Sequence, residues 1–172
     1  MALEDAVSLL CSRAGGSLEL SSGSRGGTGL TIKWPNDLLL WGAKLAGILL
    51  ERTGDAVVIG FGVNIAHTPD LPDRPTTSLA AHGAPIGPDI LVEVLAETFA
   101  HWLARWRGEG VAPIRARWLE RAHPPGTALS ARLPDGTAID GLFEGLDGDG
   151  ALILRLGGGG TRVIHAADVF LI

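Results

Sequence analysis

The spacing of apolar positions divides the chain into helical and strand regions. Leu3, Ala6, Val7 and Leu10 recur with the period of a helix, and the same period returns in the middle of the chain. Amphipathic helices are therefore predicted over residues 2–14, 89–107 and 111–121. β-type runs between turn residues predict strands over residues 30–33, 38–41, 45–52, 56–63, 128–132, 138–143, 151–156 and 161–164. The glycine- and serine-rich residues 15–29 are predicted to form a surface loop.

These elements fall into two groups. The first strands follow one another closely and are accompanied by helices, which indicates an α+β fold with a mixed, mostly antiparallel sheet and packed helices. After Pro124-Pro125-Gly126 the strands become short and regularly spaced, as is typical of a small β barrel. Two domains are therefore predicted, over residues 1–123 and 124–172.

Length and composition narrow the class of protein. A chain of 172 residues can form one main domain with a small second one. Its longest apolar stretches, 38–41 and 45–50, are far shorter than the roughly 20 residues of a transmembrane helix, and no signal peptide is recognised, so a cytoplasmic protein is predicted. The single cysteine, Cys11, excludes an intramolecular disulfide. The net charge of −5 argues against DNA as a partner.

Polar residues interrupt the apolar run of the first strands. Lys33, Asn36, Asp37 and Lys44 are flanked by apolar residues, and a buried polar group needs a partner. An anionic ligand with a metal ion would supply such partners. Lys44 stands at the start of an apolar strand, where its ammonium group is expected to be partly desolvated, and Gly47 would let a ligand approach the backbone. The alternative is a surface lysine at a strand edge.

Three sequence blocks resemble a known family. They read Lys-Trp-Pro-Asn-Asp-Leu at 33–38, Lys-Leu-Ala-Gly-Ile-Leu at 44–49 and Gly-Phe-Gly-Val-Asn at 60–64. In this order they resemble the biotin protein ligases, and the segments 77–79 and 143–147 fit the same family. The resemblance implies a class II synthetase-like catalytic domain followed by an SH3-like C-terminal domain. It also implies an upstream Arg- and Gly-rich loop without a counterpart here, so the catalytic domain is expected to be N-terminally incomplete and weakly active alone.

The resemblance implies a reaction in two steps. Biotin and ATP, the latter with Mg²⁺, would form biotinyl-5′-AMP, and biotin would then pass to a lysine of a biotin carboxyl carrier domain. DNA and membranes are not expected as partners, and homodimer formation is left open. Two other functions are kept as alternatives: a lipoate or octanoate ligase or transferase, and a non-catalytic biotin-binding remnant. The intact first block and the C-terminal barrel favour biotin.

The resemblance also implies roles for single residues. Lys44 is the predicted catalytic cation, and Asp37 and Asn64 are the predicted Mg²⁺ ligands. The predicted biotin- and ATP-binding residues are Lys33, Asn36, Asp37, Lys44, Gly47, Ile48, Leu49, Gly60, Gly62 and Asn64. Alternatives stay open for some of them, since Lys33 could pair with a phosphate or with Asp37, and Asn36 could bond only local backbone in a turn. The two glycines of the third block mark close ligand approach or a β-bulge.

Overall fold

The computed structural model describes residues 1–13 and 29–172, so the loop predicted over residues 15–29 lies outside the described residues except for Gly29. The predicted α+β class is confirmed, with helices and two separate sheets. The helices are α1 (Ala2–Arg13), α2 (Pro88–Glu109) and α3 (Ala112–Arg121), with a 3₁₀ turn at Ala80–His82. The strands are β1 (Leu30–Lys33), β2 (Asp37–Leu40), β3 (Ala43–Thr53), β4 (Ala56–Val63), β5 (Ala128–Arg132), β6 (Ala138–Leu146), β7 (Leu152–Arg155), β8 (Thr161–Ile164) and β9 (Asp168–Leu171).

The first sheet joins consecutive strands, and the pairs that β3 makes are antiparallel, as the sequence predicted for most of the sheet. Its four strands lie in the order β1-β2-β3-β4, and β3 pairs antiparallel with both β2 and β4. The β3–β4 register runs without interruption from Ala46 opposite Val63 to Thr53 opposite Ala56. Apolar β-branched and leucine side chains dominate these strands, which fits a pleated surface with one covered face.

The turn between β2 and β3 ends the second strand earlier than predicted. Trp41 and Gly42 have φ of 53° and 81°, as a two-residue type I′ hairpin requires. The Trp41 amide donates to the Gly29 carbonyl at 2.9 Å, and a Cβ built on Gly29 would lie 2.5 Å from the Trp41 ring. Only glycine fits there. The strand predicted over 38–41 therefore stops at Leu40, because the chain reverses at Trp41.

Helix α2 packs against helix α1 and against strand β4 through specific contacts. The Trp102 indole donates to the Asp5 carboxylate at 2.7 Å, and the Thr98 hydroxyl donates to the Ala2 carbonyl at 3.0 Å. Phe99 meets Phe61 of β4 edge to face, with ring centroids 6.3 Å apart. Together these contacts fix α2 against α1 and against one face of β4.

The second sheet has five antiparallel strands in the order β8-β7-β6-β5-β9. Trp34 completes its core, although this residue belongs to the first sequence block. The buried core residues are Trp34, Leu129, Ala131, Phe143, Leu146, Leu152, Leu154, Ile164 and Val169. The Trp34 indole donates to the Gly150 carbonyl at 3.0 Å.

The chain divides into two compact units. One contains Met1–Ile32 and Asn36–Ala104, and the other contains Lys33–Pro35 and Arg105–Ile172. The division falls within α2, because α3 belongs with the second sheet: Arg115 Nε donates to the Leu146 carbonyl at 3.0 Å. The domain limits inferred from the sequence, 1–123 and 124–172, stay a prediction.

Two features of the second sheet differ from the sequence prediction. β6 continues to Leu146, beyond the predicted end at 143, and its register shifts between Phe143 and Gly145. β9 was not among the predicted strands, and it pairs antiparallel with β5 from Leu129 opposite Leu171 to Arg132 opposite Asp168. Across residues 1–13 and 29–172, no helix is both long and apolar enough to cross a membrane.

Candidate active site

A buried ion pair lies where β2 begins. The Lys44 ammonium is 2.5 Å from Asp37 Oδ1, and only 6% of the Asp37 side chain is exposed against 26% for Lys44. A buried carboxylate is stable only with charged or hydrogen-bonding partners. The structure therefore brings together two of the predicted site residues, with the lysine partly open to solvent.

A β-bulge aims Lys44 at this carboxylate. In the β2–β3 register Leu38 lies opposite Ala46 and Leu39 opposite Lys44, so Leu45 is an extra residue on β3. In a regular strand, residues 44 and 47 would point to opposite faces. The extra residue moves Lys44 to the face of Gly47, which lies opposite Asp37. In the sequence block, lysine stands three positions before glycine. The bulge lets residues at this spacing lie on the same face of the sheet.

Three glycines lie on the face of the sheet that carries the Lys44–Asp37 ion pair. Gly47 lies opposite Asp37 on one side and opposite Gly62 on the other, and Gly60 lies opposite Leu49 in the next row. Among the described residues, a Cβ on Gly62 would meet only the Gly47 carbonyl oxygen, at 3.8 Å. Within residues 1–13 and 29–172, no contact requires glycine at this position. Because glycine weakens a strand, close approach of a ligand is the better reason for it.

Gly47 has closer neighbours than Gly62, because it lies next to the Lys44–Asp37 ion pair. A Cβ built on it would lie 3.4 Å from Lys44 Nζ and 3.5 Å from Asp37 Oδ1. Leu49 is 61% exposed on the glycine face, whereas Ile48 is half-buried and lies opposite Phe61. The predicted ligand-binding residues of β3 are therefore divided between the two faces of the sheet.

Asn64 organises the end of β4. Its Nδ2 donates to the Lys44 carbonyl at 3.3 Å and to the Thr77 carbonyl at 3.0 Å. The Lys44 amide donates to the Pro75 carbonyl at 2.8 Å, and the Thr77 amide donates to the Lys44 carbonyl at 3.0 Å. These bonds tie the start of β3, the end of β4 and the segment 75–77 together, so Asn64 holds the backbone that carries Lys44.

Asn36 forms hydrogen bonds with nearby backbone, which is the alternative to nucleotide binding given by the sequence. Its Nδ2 donates to the Ile48 carbonyl at 2.6 Å, and the Ile48 amide donates to the Asn36 carbonyl at 2.9 Å. The side chain is exposed beside Asp37 in sequence. Its contact with a nucleotide stays a prediction, and the observed bonds fix the turn before β2.

Lys33 belongs to the other compact unit. Its ammonium donates to the Val169 carbonyl at 2.7 Å and lies 5.9 Å from the centre of the Phe170 ring. The side chain is buried. A charge on Lys33 also contributes, after burial itself, to lowering the pKa of the His123 imidazole. The ligand-binding role of Lys33 stays a prediction.

Arg74, a residue near the ion pair, was missed by the sequence analysis. Its Nη1 lies 3.9 Å from Asp37 Oδ2, whereas Lys44 contacts Oδ1. Arg74 stands in a loop without periodicity, and its position depends on how that loop folds back. The nearest sequence signal was the Thr-Ser-Leu segment at 77–79, whose Thr77 hydroxyl is 2.8 Å from His82 Nε2.

The two predicted magnesium ligands both bond other groups of the protein. Asp37 Oδ1 is bonded to Lys44, and Asn64 Nδ2 donates to two backbone carbonyls. Across residues 1–13 and 29–172, no cluster of three or more His, Cys, Asp or Glu side chains could hold a metal. The metal-ligand roles of Asp37 and Asn64 stay a prediction, and no chemical step below depends on them.

Comparisons with known proteins decide the family. Residues 6–64 match the model of the biotin/lipoate A/B protein ligase family, and residues 130–172 match that of the biotin protein ligase C-terminal domain. The biotin--[acetyl-CoA-carboxylase] ligase of Paracoccus denitrificans is 42% identical over 182 residues, covering 99% of this chain and 69% of that protein. This chain belongs to the biotin protein ligase family.

Other biotin protein ligases show the same relationship. The biotin--[acetyl-CoA-carboxylase] ligase of Mycobacterium tuberculosis is 38% identical over 140 residues, covering 80% of this chain and 52% of that protein. The chain thus spans about half the length of this relative. The biotin protein ligase of Aquifex aeolicus in complex with biotin and ATP superposes with a TM-score of 0.72 at 16% identity, over 99% of this chain and 72% of that one. That likeness concerns the fold.

Proposed function

We propose that this chain takes part in ATP-dependent biotin ligation, forming biotinyl-5′-AMP from biotin and ATP and passing biotin to a lysine of a biotin carboxyl carrier domain. The observation that carries this proposal is 42% identity over 99% of the chain to a protein named biotin--[acetyl-CoA-carboxylase] ligase. The match of residues 130–172 to the biotin protein ligase C-terminal domain supports biotin over lipoate.

The first step joins two anions, and Lys44 is suited to lower that barrier. A biotin carboxylate oxygen attacks the α-phosphorus of ATP, and the bond to pyrophosphate breaks. Two unit charges about 4 Å apart repel by about 4 kcal/mol at an effective dielectric of 20. An ammonium group fixed between them offsets this repulsion, and Lys44 is partly exposed beside a buried carboxylate that holds it in place.

The glycine face is the proposed floor for the ligands. Gly47, Gly60 and Gly62 leave backbone uncovered beside the Lys44–Asp37 pair, and Leu49 adds exposed apolar surface. An apolar ligand with a carboxylate at one end matches such a surface, because the charged end meets the ammonium group and the rest lies over the glycines.

In the second step, the amine of a carrier lysine attacks the carbonyl carbon of the mixed anhydride. AMP leaves with the electrons of the broken carbon–oxygen bond, and the amine loses a proton to solvent. The protein contributes mainly by position, since it holds the anhydride where the amine can reach it. Biotin and ATP are the proposed substrates, and the carrier domain is the proposed partner.

A direct test uses the 172-residue chain. Biotin-dependent exchange of labelled pyrophosphate into ATP measures adenylate formation, and calorimetry compares biotin with lipoate. We expect weak exchange that requires biotin, and binding that prefers biotin. Exchange driven only by lipoate would favour the lipoate ligase alternative, and biotin binding without exchange would favour a non-catalytic protein. Homodimer formation, magnesium dependence and a cytoplasmic location stay predictions for separate measurements.

A further inference from the structure

Arg74 brings a second cation to the buried carboxylate of Asp37. Its Nη1 lies 3.9 Å from Asp37 Oδ2, while Lys44 contacts Oδ1 at 2.5 Å. The Arg74 side chain is 23% exposed, close to the 26% of Lys44. Both cations of this group therefore combine partial burial with access to solvent.

The loop that carries Arg74 is anchored to β3 directly after this residue. The Pro75 carbonyl accepts the Lys44 amide at 2.8 Å, which ties the loop to the start of β3. The Thr76 hydroxyl donates to the Pro69 carbonyl at 2.8 Å, which closes the loop on itself. These two bonds hold the backbone next to Arg74 beside the site.

Arg74 divides its guanidinium group between two carboxylates of different kinds. Its Nε and Nη2 donate to Asp73 Oδ2 at 3.1 and 2.6 Å, and 49% of the Asp73 side chain is exposed. Asp37 is buried, and its distance of 3.9 Å from Nη1 is beyond a hydrogen bond. The contact with Asp73 is the one that solvent screens, so it is the easier to exchange.

We propose that Arg74 is a nucleotide-binding residue of this site, whose guanidinium group exchanges Asp73 for a phosphate of ATP while Asp37 and Lys44 keep their pairing. The planar guanidinium fork matches phosphate oxygens in a way that an ammonium group does not. This inference rests on the proposed function and deepens it, because it assigns the nucleotide phosphates to Arg74 and leaves the biotin carboxylate to Lys44.

The test compares binding of ATP alone and of biotin alone by calorimetry, at one fixed magnesium concentration, in the 172-residue chain. Arg74→Ala is expected to weaken ATP binding by about 10- to 100-fold, since charged hydrogen bonds are lost, and to change biotin binding less than about threefold. Arg74→Lys is expected to lie between Arg74→Ala and the parent. Arg52→Ala is the matched control, because Arg52 bonds the Gly54 carbonyl at 3.0 Å in the β3–β4 turn.

Asp73→Asn separates phosphate binding from a role in holding the loop. If Arg74 binds phosphate, this variant keeps or tightens ATP binding, because it removes a competing carboxylate. Equal losses in Asp73→Asn and Arg74→Ala would overturn the inference and show that the pair only holds the loop. ATP binding by Arg74→Ala and Arg74→Lys within threefold of the parent would also overturn it. A parent chain that binds neither ATP nor biotin would instead overturn the proposed function and this inference with it.

Discussion

Lys33 and Lys44 are the only lysines in the chain, and each belongs to a different compact unit. Lys33 is buried with a backbone carbonyl as its acceptor at 2.7 Å, in the unit of the second sheet. Lys44 is 26% exposed and is paired with a carboxylate, in the unit of the first sheet. A carbonyl fixed in a strand suits a structural contact, whereas an ammonium group that is partly open to solvent can meet an anion while a buried carboxylate holds it in place. Similar sequence blocks thus supply lysines to two different kinds of environment.

The glycines of the two regions differ in the same way. Gly136, in the turn before β6, has φ of 85°, which an L residue with a side chain adopts only with strain. Gly62 lies in β4 without such a φ and with room for a Cβ. Gly136 is required by the conformation of its turn, whereas the close approach of a ligand is the better reason for glycine at position 62.

Of the variants considered, Lys44→Ala is expected to have the largest effect, and the effect is on the rate of biotinyl-adenylate formation. Lys44→Ala is expected to slow biotinyl-adenylate formation by about 10²- to 10³-fold, as is found when one preorganised electrostatic group is removed from an active site. Single-turnover adenylation measures the effect, and circular dichroism checks that the chain is folded. Lys44→Arg serves as the control that keeps the charge. A rate for Lys44→Ala within threefold of the parent would contradict the catalytic role.

Lys33→Met addresses the other lysine. It is expected to lower the free energy of unfolding by about 1.5–3 kcal/mol, because the Val169 carbonyl loses a charged hydrogen-bond donor in a buried position. Urea denaturation provides the measurement. A loss of ATP or biotin affinity with unchanged stability would reverse the comparison, since it would mean that Lys33 leaves Val169 for the ligand, as the sequence resemblance predicts.

Two alanine variants, Gly136→Ala and Gly62→Ala, test whether these glycines have different roles. Gly136→Ala is expected to destabilise the fold by about 1 kcal/mol, because its left-handed φ strains an alanine. Gly62→Ala is expected to leave stability unchanged or raised by up to about 1 kcal/mol, yet to weaken biotin binding. Denaturation and calorimetry on both variants give the result. If Gly62→Ala bound biotin as the parent does, the glycine face would not be a ligand floor.

The smallest expected effect concerns pH. Burial, and then the charge of Lys33, lower the pKa of His123 in the folded state. The unfolded chain therefore binds a proton below about pH 6.5 that the folded chain does not, so stability is expected to fall as pH drops below that value. Unfolding free energies at pH 7.5 and 5.5 measure the slope. His123→Gln is expected to flatten it. An unchanged slope in His123→Gln would assign the effect to other groups.

The class of fold, the family and the main residues of the candidate site could be predicted from local sequence patterns. Periodicity predicted the helices and most strands within a few residues, because local spacing reports which face of an element is covered. The three blocks indicated the biotin protein ligase family, which the comparisons confirmed. They also named Asp37 and Lys44, which the fold brings into contact at 2.5 Å.

The arrangement of these residues could not be predicted from local patterns and became visible in the folded chain. The bulge at Leu45 turns Lys44 to the face of Asp37, and no local pattern announces a one-residue register shift between strands. Arg74 reaches Asp37 because a loop folds back over the start of β3, and Trp34 packs in the core of the second sheet with residues that are distant from it in sequence. Each of these placements depends on contacts between distant segments, and such contacts are set when the whole chain minimises its exposed apolar surface and pairs its buried polar groups.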